Sequence, residues 1–140
     1  MTTSGTKTMS TVIISNLIVG NLVLYFGGRS SFEGTPNYAL MVGLSAACVG
    51  IYFLFFRFSD YRNFSRLKLF LCSVLCCICI VFLGNFLGLL ISQPSGEVLD
   101  SWPAAIFMGM LGNAIVFPLS LLIGILNFGI ITYYKKSNKR

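Results

Sequence analysis

Histidine is absent from this sequence, and only four residues are acidic: Glu33, Asp60, Glu97 and Asp100. Without an imidazole, general acid-base or nucleophilic chemistry would need Asp, Glu, Cys or Lys grouped in a cleft. The one acidic pair, Glu97 and Asp100, sits in a short polar loop where solvation accounts for both carboxylates. Charged residues make up 10% of the chain, and none falls deep inside the long apolar runs, Lys68 standing at the edge of one. A proton- or sodium-coupled transporter would therefore have no ionisable carrier at depth. No phosphate loop, dinucleotide fingerprint or zinc spacing occurs, so no cofactor is expected.

What the chain has in abundance is apolar surface: 56% of residues are hydrophobic, and mean hydropathy is +0.84. Those values belong to a lipid-immersed protein rather than a soluble domain. A bilayer core of about 30 Å takes about 20 apolar helical residues per crossing. Four runs meet that length, at residues 9–26, 37–56, 67–91 and 104–134. The expected fold is an all-α, four-helix transmembrane bundle forming a single polytopic domain. The first run lacks a small-residue cleavage site after Tyr25-Phe26-Gly27-Gly28-Arg29, so it reads as a retained span rather than a signal peptide.

The net charge of +6 raises the question of nucleic acid, and the placement of the charges answers it. Lys7 precedes the first span, Arg57, Arg62, Arg66 and Lys68 flank the middle loop, and Lys135, Lys136, Lys139 and Arg140 form the tail. Only Arg29 lies elsewhere. This is the positive-inside pattern, which places both termini and the middle loop in the cytosol, and no nucleic-acid partner is expected.

In chain order, the Ser/Thr-rich leader Thr2 to Thr8 has no apolar period and reads as an irregular arm. In the first span Asn16 and Gly20 are one turn apart, a pattern that favours close helix packing. Residues 27–36 form a turn-rich connector, and Pro36 suits the first turn of the second helix. There, Gly43 with Ala47 and Ala46 with Gly50 mark small-residue faces, while Tyr38 and Tyr61 fit an aromatic belt at the two interfaces. Asn63-Phe64-Ser65 matches the glycosylation pattern but falls on the expected cytosolic side.

All five cysteines, Cys48, Cys72, Cys76, Cys77 and Cys79, fall in spans, so no disulfide framework is implied. Cys72, Cys76 and Cys79 share a face, which admits a soft-metal site, acylation of Cys72, or simple packing by small polarizable side chains. The lack of histidine or carboxylate on that face favours packing.

Gly84 and Gly88 close the third helix with a small-residue face. Beyond an acidic loop, Asp100 or Ser101 can cap the last helix, Pro103 suits its first turn and Trp102 fits interfacial depth. As one helix, residues 104–134 would be about 46 Å long, exceeding the bilayer core, so a tilt, a kink at Pro118 or an interfacial start is expected. Gly109, Asn113, Phe117, Ser120, Gly124 and Asn127 recur at spacings of four and three. They predict a narrow stripe for helix packing, or for lining an aqueous pathway.

Gly84-Asn85-Phe86-Leu87-Gly88, the acidic loop with Leu99-Asp100, Trp102-Pro103, Gly109, Gly112 and the Tyr- and Lys-rich tail together resemble the C-terminal part of the PIG-F family, the membrane subunit of glycosylphosphatidylinositol-anchor assembly. The likeness covers about the last 60 residues, with the middle basic loop in comparable order. It implies an endoplasmic-reticulum membrane protein that is not an enzyme. Such a protein binds and stabilises a larger membrane-embedded partner, the transferases that add ethanolamine phosphate. Together with the last-helix stripe, Gly84, Gly88, Trp102, Pro103, Gly109, Gly112, Asn113, Ser120, Gly124 and Asn127 are the expected helix-packing or partner-contact positions. Three other functions fit the residues: a small channel or carrier with a neutral path along Asn16, Asn85, Asn113 and Asn127; a bacterial inner-membrane immunity-type protein; and a lipid-acting enzyme using Glu97 and Asp100.

Overall fold

The computed structural model describes residues 3–31, 37–92 and 102–137. They form four long helices, α1 (Thr3–Ser31), α2 (Tyr38–Phe58), α3 (Arg66–Ser92) and α4 (Trp102–Ser137), with one 3-10 turn, Tyr61–Asn63, between α2 and α3. Each helix carries a stretch long and apolar enough to cross a bilayer: Gly5–Phe26, Tyr38–Phe58, Arg66–Ser92 and Gly109–Lys136. The bundle is all-α with four such helices, as expected.

The helices run alternately up and down. Thr11 Oγ1 lies 3.3 Å from the Tyr134 hydroxyl, and Lys135 Nζ donates to the Phe64 carbonyl at 2.8 Å. The start of α1, the end of α4 and the α2–α3 connection therefore share one end of the bundle, the termini end. Replacing Lys135 by Met removes this charge-assisted bond from a partly exposed site. A loss of about 1 kcal/mol is expected, read as a lower unfolding midpoint in mixed detergent-lipid micelles.

Several boundaries differ from expectation. Thr3 to Thr8 is helical rather than an irregular arm. Within it Thr8 is buried, and in the next turn Thr11 Oγ1 bonds the Lys7 carbonyl at 2.9 Å, so the Ser and Thr content does not break the helix. Likewise α1 continues through Gly27 and Gly28 to Ser31, where a turn was expected. The N-cap of α2 is Asn37, whose side chain accepts from the Leu40 amide at 3.0 Å. Pro36, Glu33, Glu97, Asp100 and Ser101 lie outside the described residues. α4 is one continuous 36-residue helix that includes Pro118.

Polarity inside the bundle is inverted relative to a soluble protein. Large apolar side chains point outward, as in the Ile14, Ile18, Leu22 stripe of α1 and the Leu67, Leu71, Leu75 stripe of α3, while Thr8, Ser73, Ser120 and Asn127 are buried. In lipid there is no hydrophobic force between helices, so close packing and internal hydrogen bonds must hold them. The two halves of the bundle do this differently. Toward the termini end, bulky side chains interlock: Phe56 meets Tyr61 with ring centroids 5.0 Å apart, and Phe70 meets Phe128 at 5.9 Å. Tyr61, expected at interfacial depth, is buried beneath the end of α2, because the 3-10 turn folds it back onto Phe55 and Phe56. Toward the opposite end, α2 and α3 touch backbone to backbone at glycines.

Candidate functional site

The α2–α3 seam brings together two small-residue faces. A Cβ placed on Gly43 would lie 2.5 Å from the Gly88 amide nitrogen and 2.6 Å from the Gly84 carbonyl oxygen. One on Gly84 would lie 2.7 Å from the Leu44 Cα, and one on Gly88 3.0 Å from the Leu40 Cα. Glycine at these positions is what lets the helices approach. The second small pair on α2, Ala46 and Gly50, lies on the stripe adjoining Gly43 but outside the seam: both are exposed, and nothing lies within 4 Å of a Cβ on Gly50.

The α3–α4 seam uses the other small positions. Gly109 faces the Phe82 ring, with 3.0 Å from a Cβ to the nearest ring carbons. Gly112 faces the Asn85 amide at 2.8 Å, and Gly124 faces Val74, whose Cγ2 would be 2.8 Å away. Asn113 bonds the Gly109 carbonyl at 3.0 Å, while its Oδ1 has no partner among the described residues. Ser120, Gly124 and Asn127 are buried, but Phe117, on the same expected stripe, is 46% exposed. The stripe therefore does not turn inward along its whole length. Its 4–3 spacing drifts around an α-helix, and the phenyl ring at 117 is accommodated outside. Trp102 and Pro103 are the first two residues of α4. Pro103 is exposed, and the Trp102 side chain lies outside the described set.

A hydrogen-bonded node joins all four helices at mid-span. Asn127 of α4, with no accessible surface, accepts from Asn16 Nδ2 of α1 at 2.7 Å and donates back to Asn16 Oδ1 at 3.2 Å. Its amide nitrogen also donates to the Tyr52 hydroxyl of α2 at 2.6 Å and lies 3.5 Å from Cys77 Sγ of α3. The Tyr52 hydroxyl also lies 3.7 Å from Cys77 Sγ, in a contact that either group can donate. The second Asn16 proton goes to the Val12 carbonyl at 2.6 Å. Neutral groups thus satisfy one another where water is absent, which is the condition for burying them in lipid.

The sequence singled out Asn16 and Asn127 but not Tyr52 or the role of Cys77. The available signal was position: a tyrosine in the middle of a span, away from both interfaces, must find a partner for its hydroxyl. Cys77 lies off the expected cysteine face, and Cys48, Cys76 and Cys77 are buried while Cys72 and Cys79 are partly so. Among the described residues, no three Cys, Asp or Glu side chains converge as a metal site.

Beside this node, toward the end opposite the termini, α1 draws away from α4 and leaves a cavity of about 170 Å³. Its wall is mostly aliphatic, from Leu17, Leu44, Ile80 and Val116, with Asn16, Asn21, Asn85 and Ser120 among the polar members. Asn21 bonds the Leu17 carbonyl at 2.8 Å and Ser45 Oγ at 3.2 Å, and Asn85 bonds the Val81 carbonyl at 2.8 Å. Of the four asparagines expected along a neutral path, Asn16 and Asn85 reach this cavity, whereas Asn127 is sealed in the node and Asn113 is not in the wall.

Fold and site together define a class: a four-helix bundle of membrane-crossing length, with outward-facing apolar side chains and a neutral polar interior, the architecture of a multi-pass integral membrane protein. Comparison with protein-family models, with curated proteins and with solved structures returned no match.

Proposed function

We propose that this protein is a non-catalytic accessory subunit that holds the spans of a larger membrane-embedded partner. The observation that carries this reading is the outer face of α2. Ala46 and Gly50 form a small-residue patch with open space over Gly50, flanked by exposed Val42, Val49 and Phe53. Small residues of this kind let a second helix approach to backbone distance, and none of the described helices covers Gly50. The neutral node supports the same role, since a bundle tied together by its own uncharged hydrogen-bonding groups offers a rigid surface.

The partner's identity follows from the resemblance around Gly84–Gly88 and Trp102–Pro103. On it, the partner is an ethanolamine phosphate transferase of glycosylphosphatidylinositol-anchor assembly in the endoplasmic reticulum. The basic residues then put both termini in the cytosol and the loop before α4 in the lumen.

Purification in mild detergent should recover a larger multi-span protein by mass spectrometry. Gly50→Leu should release it while leaving helicity and elution volume of the isolated chain unchanged, and deletion of the gene should abolish surface anchoring. Recovery of the wild-type protein alone, with anchoring intact in the deletion, overturns the proposal.

A further inference from the structure

The cavity between α1 and the other three helices holds one polar group that the fold leaves unserved. Ser120 is 2% exposed and lines the cavity, and its hydroxyl has no hydrogen-bond partner among the described residues. A serine buried mid-helix in lipid would ordinarily bond a carbonyl of its own helix, as Ser73 does to Leu69 at 2.9 Å. The other polar wall groups differ from it: the amides of Asn16, Asn21 and Asn85 each already donate to a carbonyl one turn back. A buried hydroxyl without a partner among the described residues therefore borders a mostly aliphatic space.

We infer that this cavity is a binding site for an uncharged hydrocarbon body carrying one hydroxyl or carbonyl group, which bonds Ser120. Its volume of about 170 Å³ slightly exceeds the roughly 150 Å³ of an engineered apolar cavity that takes up benzene. A body of about six to eight heavy atoms fits on that comparison, which excludes a sterol or a whole diacyl lipid. No Asp, Glu, Lys or Arg stands in the wall, so a charged headgroup would enter unpaired, at a cost that selects against it. Entry is from the side: Val23, in the wall, is also exposed on the outside of the bundle. Gly20 borders the same space, and a Cβ there would meet nothing within 4 Å. The ligand is either a short free amphiphile dissolved in the bilayer or the functionalised segment of a lipid chain. The site stands independently of any partner subunit.

The test uses the full-length protein in phosphatidylcholine nanodiscs, photolabelled with a diazirine-bearing octanol and mapped by mass spectrometry. Saturable adducts are expected on Leu17, Leu44 or Val116, and benzyl alcohol should displace them better than toluene of similar size. Ser120→Ala should weaken displacement by benzyl alcohol about fivefold, the scale of one lost hydrogen bond, and remove its advantage over toluene. Gly20→Leu, which fills the space, should abolish saturable labelling, while Gly50→Leu on the outer face of α2 should leave it intact. Labelling that does not saturate, that persists in Gly20→Leu, or that toluene displaces as well as benzyl alcohol in the wild type overturns the inference. Solvent extraction of the purified protein separates the two sources. A co-purifying hydroxyl- or carbonyl-bearing chain lost in Gly20→Leu assigns a lipid, and saturable labelling without one assigns a free amphiphile; both outcomes sustain the site.

Discussion

Gly43→Ala should destabilise the protein by about 2–3 kcal/mol, the upper range for forcing extra volume into a well-packed interior. The direction is the opposite of what helix propensity alone predicts, since Ala is favoured over Gly by about 1 kcal/mol in a helix. The added methyl would lie 2.5 Å from the Gly88 nitrogen and 2.6 Å from the Gly84 oxygen. Both are main-chain atoms of α3, so no side-chain rotation can relieve the overlap, and α2 and α3 must separate. Separation also loosens the Leu40 and Leu44 contacts with Gly88 and Gly84. Gly50→Ala and Gly129→Ala are the controls, because a Cβ at either position meets nothing within 4 Å; no loss, and a gain of up to about 1 kcal/mol from helix propensity, is expected. Reversible unfolding in SDS-lipid micelles, or steric trapping in bicelles, measures all three. A Gly43→Ala protein as stable as Gly50→Ala would mean that the two backbones do not touch in the bilayer.

The second large effect is expected at Asn127. Asn127→Leu conserves volume but strands the Tyr52 hydroxyl and the Asn16 amide in a dry interior, each group left unsatisfied costing about 1–3 kcal/mol. Measured interhelical hydrogen bonds in membrane proteins are smaller, about 0.6 kcal/mol on average and up to about 1.7. Since stranded groups, rather than lost bonds, dominate here, a total near 3 kcal/mol is expected. The cycle with Asn16→Leu isolates the reciprocal pair. The double replacement should cost little more than Asn127→Leu alone, a coupling of about 1–2 kcal/mol, because the two amides serve each other at 2.7 and 3.2 Å. Strict additivity would show that Asn16 and Asn127 do not bond, and with them the link between α1 and α4 at this depth would fall.

Both predictions rest on residues that the sequence flagged, but the reasons came from different places. Gly84 and Gly88 stand one turn apart, so their shared face is visible from periodicity. That their counterpart is Gly43, and not the equally small Ala46–Gly50 pair, is not visible, because both pairs have the same spacing and composition. Asn127 was legible as a costly group within an apolar run. Its partners Asn16, Tyr52 and Cys77 come from three other helices, at sequence separations that no local pattern spans. The leader misled for a related reason: Ser and Thr have weak helix propensity in water, but their hydroxyls bond a preceding carbonyl or bury inside the bundle, as Thr11 and Thr8 do here. Tyr61 read as a belt residue because its position was judged by depth, whereas a short turn rotated it onto Phe56.

From the chain alone came the solvent, the number of crossings and the inventory of groups that could survive inside. Those depend only on composition and on the length of apolar runs, quantities that add up locally along the helix axis. The pairing of small faces, the closing of the amide node and the gap left between α1 and α4 around Ser120 belong to the tertiary structure. Each depends on the angle at which one helix meets another, and chemically equivalent faces stay indistinguishable until the helices are placed against each other.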